Sequence, residues 1–254
     1  MYQKLWITAK TDKGSRDDNQ DNFCIDEKIR FVTENERKES LYIDVDDRIH
    51  VVCVCDGIGG AKLGKAATVN ALDMLGSLLE KQNPEDILED FVDDMIEKIA
   101  ENVKNVFATF GVEGGTTIAI VAWKGEECYI ANIGDSPVYC IRDEKIMELS
   151  TEHSLAKFKE LQGKPFSESD KNVLLNYLGR QDISGKEMLD GVSGKIQEND
   201  IFFLCSDGIT KAFAVEEIKE ILLENKEDAV DVLVKKASEM ENSDNCTAML
   251  IKAV

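Results

Sequence analysis

Three apolar runs in this sequence end in the same way, with an aspartate at or just beyond the last apolar residue. Asp56 follows Val-Cys-Val-Cys, Asp135 follows Tyr-Ile-Ala-Asn-Ile-Gly, and Asp207 follows Phe-Phe-Leu-Cys-Ser. Short apolar runs of this kind are typical of buried β-strands. Carboxylates at the ends of buried strands are rare unless they are paired, hydrogen-bonded or bound to a metal. The chain must therefore fold so that this negative charge is balanced where the strands end.

Two further aspartates stand just before apolar runs. Asp21 precedes residues 23–25, and Asp244 precedes the last apolar run of the chain. For any single aspartate, a role in a turn or helix cap is the alternative, because Asp-Gly is common turn chemistry. Several carboxylates brought to one sheet edge would repel one another, and divalent cations would relieve that repulsion.

The types of ligand in this set indicate which ions would bind. Carboxylate oxygens favour hard ions such as Mg²⁺ or Mn²⁺, and two such ions about 3.5–4 Å apart form a hydrolytic centre. Zinc is disfavoured, because the sequence has two histidines and no paired cysteine and histidine spacing. The aspartates therefore predict a magnesium or manganese centre.

The periodicity of the apolar residues predicts alternating blocks of strands and helices. The first block contains four strands, at residues 5–11, 23–25, 41–45 and 50–55. Two amphipathic helices follow, one at 66–79 and one that opens at Asn83-Pro84 and reaches about Phe107. The second block contains four strands with short links that suit antiparallel hairpins, at residues 116–123, 128–133, 138–142 and 146–149.

The last third of the chain returns to a mixture of both types. Residues 154–177 are polar and predict one or two short helices. The remaining elements are two strands, at 201–204 and 247–251, and two helices, at 215–224 and 228–240. No break in composition divides the chain, so we expect a single α+β layered domain over residues 1–254 rather than a regular βαβ fold.

The composition of the chain indicates which binding partners and which cellular compartment to expect. The 30 basic and 50 acidic residues give a net charge of −20, which argues against nucleic acid or an anionic membrane as the main partner. No charged-then-apolar leader or long apolar run is present, so we expect no membrane span and a cytoplasmic protein. Most of the seven cysteines lie in apolar runs, which predicts buried thiols in a reducing compartment.

Eight short motifs occur in order along the chain. They begin at Gly14, Cys55, Gly114, Asn132, Glu152, Leu178, Ser206 and Ser243, and read GSRDDNQD, CDGIGG, GGTT, NIGDS, EHS, LG, SDG and SDNCT. Each motif is weak alone, but eight in order are a strong signal. In this order they resemble the PPM-type, metal-dependent protein phosphatases of the protein phosphatase 2C class, in their compact bacterial form.

The resemblance implies two packed antiparallel β-sheets flanked by helix pairs, an α-β-β-α sandwich with a metal centre at one end. It also implies a protein serine/threonine phosphatase. Phosphoserine and phosphothreonine would be hydrolysed by direct attack of a water or hydroxide activated by two divalent metals, Mg²⁺ or Mn²⁺, with a third ion as an open question. Residues 154–177 match the variable flap of the family and are expected to recognise the substrate.

Carried over position by position, the resemblance implies a metal role for most of the aspartates. Asp56 would bridge the two ions, the Gly57 carbonyl would bind one of them, and Asp207 and Asp244 would bind the other. Asp21 would act through metal-bound water.

The resemblance also implies roles for two residues that would not bind either of these two ions. Asp135, together with Asp207, matches the place of a third metal in bacterial members. Arg16 matches the arginine that binds the substrate phosphate, and its planar guanidinium suits a bidentate contact to phosphate oxygens. A surface arginine without this role is the alternative.

Other residues in the motifs have structural interpretations or depart from the family pattern. Thr116 and Thr117 are expected to open a core strand, and His153 to order a loop. Asn245 either steadies Asp244 or reaches toward the waters of the metal, and both readings stay open. The departures are Ile58 in place of a histidine found in many eukaryotic members, Pro137 in place of arginine, and Glu152 in place of aspartate.

Two alternative functions are weighed against this prediction. Residues 59–66 nearly spell a phosphate-binding P-loop, but Ala66 stands where that motif needs a hydroxyl for Mg²⁺. A non-catalytic member that binds phosphoproteins is the other alternative, and retention of Asp56, Asp207 and Asp244 argues against it. The expected partners are phosphorylated proteins and a cognate serine/threonine kinase with its targets, without nucleic acid or membrane, and the expected state is a monomer.

Overall fold

Two antiparallel β-sheets lie face to face in the computed structural model, which describes residues 4–27 and 34–254. The strands of the first part of the chain are β1 (Lys4–Asp12), β2 (Asn22–Ile25), β3 (Glu36–Asp44), β4 (His50–Cys55) and β5 (Gly57–Ile58). The strands of the middle part are β6 (Gly115–Thr116), β7 (Ile118–Lys124), β8 (Glu127–Ile133), β9 (Val138–Arg142) and β10 (Lys145–Glu148). The last strands are β11 (Asp190–Lys195), β12 (Ile201–Cys205) and β13 (Cys246–Ala253).

Helices connect these strands and cover the outer faces of the sheets. The four longest are α1 (Ala61–Leu79), α2 (Leu88–Phe110), α7 (Val215–Asn225) and α8 (Ala229–Ser238). The shorter ones are α3 (Leu155–Leu161), α4 (Glu168–Lys171), α5 (Gly185–Met188) and α6 (Asp207–Thr210). None of the helices in the described part of the chain has the length and apolar character that a bilayer crossing requires.

The strand order mixes distant parts of the sequence. The six-stranded sheet has the order β10-β9-β12-β13-β1-β3, and the five-stranded sheet has the order β11-β8-β7-β4-β2. In the six-stranded sheet β13, the last strand of the chain, pairs with β1, the first, with Thr11 opposite Thr247. β5 and β6 form a separate two-stranded ribbon beside the five-stranded sheet.

Alternation along the central strands produces the layers, because successive side chains of a strand point to opposite faces. In β4, Val51 and Cys53 pack with α1 and α2, whereas Val52 and Val54 face the other sheet. Both sets are fully buried, which explains why β4 is apolar throughout. The other sheet repeats the pattern, since Phe203 packs toward α7 and α8. The result is the predicted α-β-β-α sandwich.

Most sequence-predicted elements are confirmed, with boundaries that differ by a few residues. The exception with a clear cause is the second long helix, which does not open at Asn83-Pro84. The Asn83 N–H donates to the Asp86 carboxylate at 2.7 Å and the Asp86 N–H donates back to the Asn83 carbonyl, which makes a separate turn. The helix begins at Leu88, after Ile87.

Three other boundaries also differ from the prediction. β3 begins at Glu36, five positions before the predicted residue 41. α1 begins at Ala61, five positions before the predicted residue 66. It follows directly on Gly59 and Gly60, whose positive φ angles are not helical. The predicted strand at 116–123 is divided at Thr117 into β6 and β7, which belong to different sheets. Residues 154–177 contain α3 and α4, as the polar composition predicts.

Candidate metal centre

The sheet register brings the predicted aspartates to the same end of the sandwich. In the five-stranded sheet, Asn22 at the start of β2 pairs with Cys55 at the end of β4, so Asp21 and Asp56 leave neighbouring strands together. In the six-stranded sheet, Cys205 pairs with Ala248 near the start of β13. The residues beyond these strand ends, Asp207 and Asp244, therefore also lie side by side, and Asp135 follows β8 at this end as well.

Ser206 connects the two halves of this cluster. Its Oγ donates a hydrogen bond of 2.6 Å to Asp21 Oδ2, and it accepts a 3.0 Å bond from the Thr247 N–H. Asp21 is 4% exposed and Ser206 is fully buried. The carboxylate of one sheet is thus oriented by a hydroxyl of the other. Nothing in the sequence pattern singled out Ser206 for this role beyond its place in the SDG motif.

The backbone of Asp56 is held by two buried threonines. The Asp56 N–H donates to Thr117 Oγ1 at 3.0 Å, and the Asp56 carbonyl accepts from the Thr117 N–H at 2.8 Å and from Thr116 Oγ1 at 2.9 Å. Thr117 Oγ1 also shares a 2.7 Å hydrogen bond with Ser136 Oγ, next to Asp135. The threonines therefore lie in the core beside the site and fix the turn that carries Asp56, in agreement with the structural interpretation of these residues.

Two glycines in the motifs allow close approach of backbone segments. A Cβ atom on Gly208 would lie 2.0 Å from the Asn245 carbonyl oxygen, and a Cβ atom on Gly57 would lie 2.5 Å from the Gly64 carbonyl carbon. Both distances are too short for any side chain. The Asp-Gly pairs thus serve tertiary packing as well as turn chemistry, because a larger residue would push Asp207 or Asp56 out of place.

The electrostatics of the cluster are those expected of crowded carboxylates. Burial raises the pKa of Asp21 to about 7, with a further rise from the charges of Asp207 and Asp244, although the hydrogen bond from Ser206 opposes it. Burial and the neighbouring Asp207 also raise the pKa of Asp135 to about 7.

Asp56 lies in the middle of this field. Burial raises its pKa well above the usual value, and the charges of Asp21, Asp207, Asp135 and Asp244 add to the rise. The charges of all four other aspartates act on the Asp56 carboxylate, as expected where several carboxylates converge.

One atom in the cluster has an unmet bonding requirement. Asp21 Oδ1 is buried and has no hydrogen-bond partner within the part of the chain that the structure describes. A buried carboxylate oxygen without a donor is costly, and a cation or its hydration water would supply the missing interaction. The donor set, made of carboxylates and backbone carbonyls, fits Mg²⁺ or Mn²⁺.

Few side chains would be available to each ion. Within residues 4–27 and 34–254, no three carboxylate, imidazole or thiol groups form a ligand set for one ion by themselves. Mg²⁺ commonly binds through one or two carboxylates and keeps several waters. The residues therefore fit ions that share carboxylates, take a backbone oxygen and remain partly hydrated.

Two basic side chains contact Asp207 and Asp244. Lys211 Nζ lies 2.6 Å from Asp207 Oδ2 and 3.0 Å from Asp244 Oδ2, and Arg16 Nε lies 2.9 Å from Asp244 Oδ1. Burial opposes the charge on Asp244, but Lys211 and Arg16 hold its pKa below the usual value. Lys211 was not among the predicted site residues, because it belongs to none of the motifs.

Asn245 fixes the loop that carries Arg16. Its side-chain amide donates to the Lys13 and Asp18 carbonyls at 2.9 and 3.0 Å, and its Oδ1 accepts from the Gln20 N–H at 2.9 Å. The Asn245 N–H also donates to Asp244 Oδ1 at 3.0 Å. Its polar atoms thus bind the loop of residues 13–20 to Asp244, and the structure favours the supporting role over contact with metal waters.

His153 orders the turn before Asp135. Its Nδ1 accepts from the Gly134 N–H at 3.1 Å, so Nε2 carries the proton and donates to Asp190 Oδ2 at 2.6 Å. Both ring nitrogens are therefore occupied by structural contacts, as expected from the sequence. Asp190 is the first residue of β11, a strand that the sequence pattern does not predict.

A cleft of about 780 Å³ opens beside the cluster. Its lining includes Asp135, Asp207 and Lys211, together with Phe166 and Lys171 from the segment 154–177. α3 and α4 of this segment are joined by an ion pair of 2.8 Å between Lys159 and Asp170. The predicted flap is thus a folded unit next to the carboxylates.

Comparison with known proteins agrees with this architecture. The model of the family described as Protein phosphatase 2C matches residues 16–162. The chain therefore belongs to the protein phosphatase 2C family.

Particular relatives are bacterial phosphatases that cover most of the chain. It is 28% identical over 221 residues to the serine/threonine phosphatase stp of Listeria innocua. The matched region covers 81% of this chain and 85% of the Listeria protein. It is 24% identical over 229 residues to the protein phosphatase PhpP of Streptococcus pneumoniae, with 86% and 92% covered.

Solved structures with the same fold cover nearly the whole chain. The S. agalactiae serine/threonine phosphatase superposes with a TM-score of 0.81 at 23% identity, over 98% of this chain and 100% of the other. The catalytic domain of the serine threonine protein phosphatase PstP, solved in complex with two manganese ions, superposes with a TM-score of 0.78 at 19% identity, over 99% of each chain. At these identities the likeness establishes the fold.

Proposed function

We propose that this protein is a metal-dependent serine/threonine phosphatase that hydrolyses phosphoserine and phosphothreonine in proteins, with Mg²⁺ or Mn²⁺ as cofactor. The observation that carries the proposal is the convergence of Asp21, Asp56, Asp135, Asp207 and Asp244 at one end of the sandwich. Membership of the protein phosphatase 2C family supports the same function. All of these residues come from one chain, which supports a monomer as the working unit.

The cluster suggests how two ions would be held. Asp56, which all the other carboxylates influence, would bridge the ions, and the Gly57 carbonyl would bind one of them. Asp207 and Asp244 would bind the other. Asp21, whose Oδ1 has no hydrogen-bond partner within residues 4–27 and 34–254, would hold a water of the ion. Asp135 with Asp207 would provide a third site.

Bound ions of this kind lower the pKa of water and neutralise phosphate charge, which permits direct hydrolysis of a phosphoester. The chain's own contribution is to orient the substrate. Arg16 directs Nε toward Asp244, and its two NH₂ groups are suited to phosphate oxygens. The side chain of Arg16 is 56% exposed, so an incoming phosphoprotein can reach it.

We propose further that the substrates are products of a cognate serine/threonine kinase, and that the flap at residues 154–177 recognises them across the cleft. The whole of residues 1–254 would act as one domain, because both sheets contribute to the same centre. A reducing, cytoplasmic location is supported by the seven cysteines, which are all buried and form no disulfide with one another. The net charge of −20 opposes nucleic acid or anionic lipid as a partner.

The test is turnover of a phosphothreonine peptide and an aryl phosphate by the purified protein with Mn²⁺, Mg²⁺ or EDTA. We expect hydrolysis of both substrates with either ion and none in EDTA. A folded protein that binds Mn²⁺ and phosphopeptide without turnover would instead be the non-catalytic family member. Full activity in EDTA would exclude the metal mechanism.

A further inference from the structure

Lys211 occupies the position between two carboxylates that are assigned to one ion. It follows the four-residue helix α6, and its N–H donates to the Asp207 carbonyl at 2.8 Å. This i,i+4 spacing places Lys211 and Asp207 on the same helical face. Its Nζ then reaches both Asp207 Oδ2, at 2.6 Å, and Asp244 Oδ2, at 3.0 Å.

An ammonium group and a divalent cation cannot use these oxygens together. Mg²⁺ binds carboxylate oxygens at about 2.0–2.1 Å, so an ion on Oδ2 of both aspartates would overlap the space of the Lys211 Nζ. Two cations at that separation would also repel each other strongly in a partly buried site. Arg16 differs, because its Nε contacts Oδ1 of Asp244 and not the Oδ2 atom that Lys211 contacts.

We propose that Lys211 is an internal counter-ion, which pairs with Asp207 and Asp244 in the metal-free protein and must be displaced when a divalent ion binds there. The inference rests on the proposed role of these aspartates as ligands. Lys211 also lines the 780 Å³ cleft, so its side chain has space to move away from the aspartates. Its side chain is 47% exposed, and hydration of the displaced ammonium keeps the exchange reversible.

This arrangement has two opposite effects on the protein. Without metal, Lys211 offsets the repulsion between the two aspartates and stabilises the fold. With metal, the free energy needed to displace Lys211 reduces the affinity for the ion. Lys211 would therefore raise the concentration of divalent ion that is needed to fill the site at Asp207 and Asp244.

The experiment compares Mn²⁺ binding by isothermal titration calorimetry, at one fixed pH, in the parent and in Lys211→Met. Methionine keeps much of the side-chain length and removes the charge. We expect at least one class of Mn²⁺ site to bind about tenfold more tightly in the variant, equivalent to about 1.4 kcal/mol. The matched control is Lys219→Met, which removes a lysine paired with Glu216 on α7 and leaves Mn²⁺ affinity unchanged.

Thermal stability provides a second readout that does not depend on activity. In EDTA, Lys211→Met should melt below the parent, because the aspartate pair loses its counter-ion. In saturating Mn²⁺ the order should reverse or the two midpoints should coincide. A variant that melts below the parent by the same amount in both conditions would overturn the proposal, since Lys211 would then stabilise the fold without competing with the ion.

Two further variants locate the effect. Lys211→Arg keeps the positive charge and should retain the Mn²⁺ affinity of the parent, which also covers the case in which Lys211→Met folds poorly. In an Asp244→Asn background, Lys211→Met should no longer increase Mn²⁺ affinity, because the shared ligand is gone. Equal Mn²⁺ affinity in the parent and Lys211→Met would overturn this inference alone, whereas a parent that binds no Mn²⁺ would overturn the proposed function with it.

Discussion

Ser206 Oγ donates a 2.6 Å hydrogen bond to Asp21 Oδ2 across the interface between the two sheets. Ser206 follows the last residue of β12 and Asp21 precedes the first residue of β2, and the two are 185 positions apart in the chain. The hydrogen bond holds one oxygen of Asp21, whereas the other, Oδ1, has no hydrogen-bond partner among the residues that the structure describes. The geometry of the carboxylate cluster therefore depends on a hydroxyl that binds no ion in the proposed site.

Ser206→Ala should destabilise the protein by about 1–3 kcal/mol, because a buried carboxylate loses a donor and the Thr247 N–H loses its acceptor. Urea unfolding of the parent and the variant in saturating Mg²⁺ measures the difference. Ser193→Ala, which removes an exposed 2.7 Å hydrogen bond to Glu89, is the matched control and should cost far less. Equal losses in the two variants would show that Ser206 has no special part in joining the sheets.

Asp56→Asn, Asp207→Asn and Asp244→Asn should each reduce phosphatase activity at least about a hundredfold, since the bound ions supply several kcal/mol of charge stabilisation in the transition state. Initial rates with an aryl phosphate in Mn²⁺ test this. Asp47→Asn changes an exposed aspartate in the loop before β4, at the opposite end of that strand from Asp56, and should keep the parent rate. An Asp207→Asn protein as fast as the parent would contradict the two-metal assignment.

Mn²⁺ and Mg²⁺ should raise the melting temperature in a concentration-dependent way, because a ligand that binds only the folded state stabilises it. At a free ion concentration of one hundred times the dissociation constant, the expected gain is about 2.7 kcal/mol. Differential scanning fluorimetry across an ion titration measures it, and EDTA should reverse it. Asp56→Asn should show a much smaller shift. A parent midpoint unmoved by millimolar Mn²⁺ would contradict a clustered site.

Arg16→Ala should raise the KM for a phosphopeptide roughly ten- to hundredfold, which is the value of a charge-assisted hydrogen bond. Mn²⁺ affinity should change little, because the ion pair with Asp244 is half-exposed at Arg16 and such pairs contribute little. Arg16→Lys should give an intermediate KM, since it keeps the charge but loses the planar fork. Lower Mn²⁺ affinity at an unchanged KM would make Arg16 a structural residue.

His50 should make the stability depend on pH. Its ring is buried and lies 3.1 Å from Asp26 and 3.0 Å from Asp46, and although burial opposes protonation, these carboxylates raise the pKa of His50 above the ordinary 6.5. A folded-state pKa above the unfolded one means that the protonated pairs stabilise the protein fully below the unfolded pKa. This contribution is lost as pH rises through the folded-state pKa.

The measurement is urea unfolding of the parent and His50→Gln between pH 6 and pH 9, in saturating Mg²⁺. The stability difference between them should be largest at the acidic end and should shrink as pH rises. Taking the difference removes the titration of groups that both proteins share. A difference that grows with pH would mean that neutral His50, stacked 5.2 Å from Trp123, is the better partner in the folded state.

Local patterns in the sequence were sufficient to predict most of the strands and helices that form the layers. β4 is apolar throughout because its two faces are buried against different layers, and α8 was found from its helical spacing. The strand-end aspartates were also visible, because a carboxylate next to a buried strand is unusual wherever the strand later lies. β11 was missed, since all six of its residues are exposed at a sheet edge and show no alternation.

The contacts among these parts were decided by the tertiary structure. Lys211, Ser206 and Asp190 lie beside Asp244, Asp21 and His153 only because sheet register and the packing of the sheets bring these pairs together. The spacing of apolar residues along a strand or helix indicates which face of that strand or helix is buried. It carries no information on which distant side chain lies opposite, because that depends on strand pairing between segments far apart in the chain.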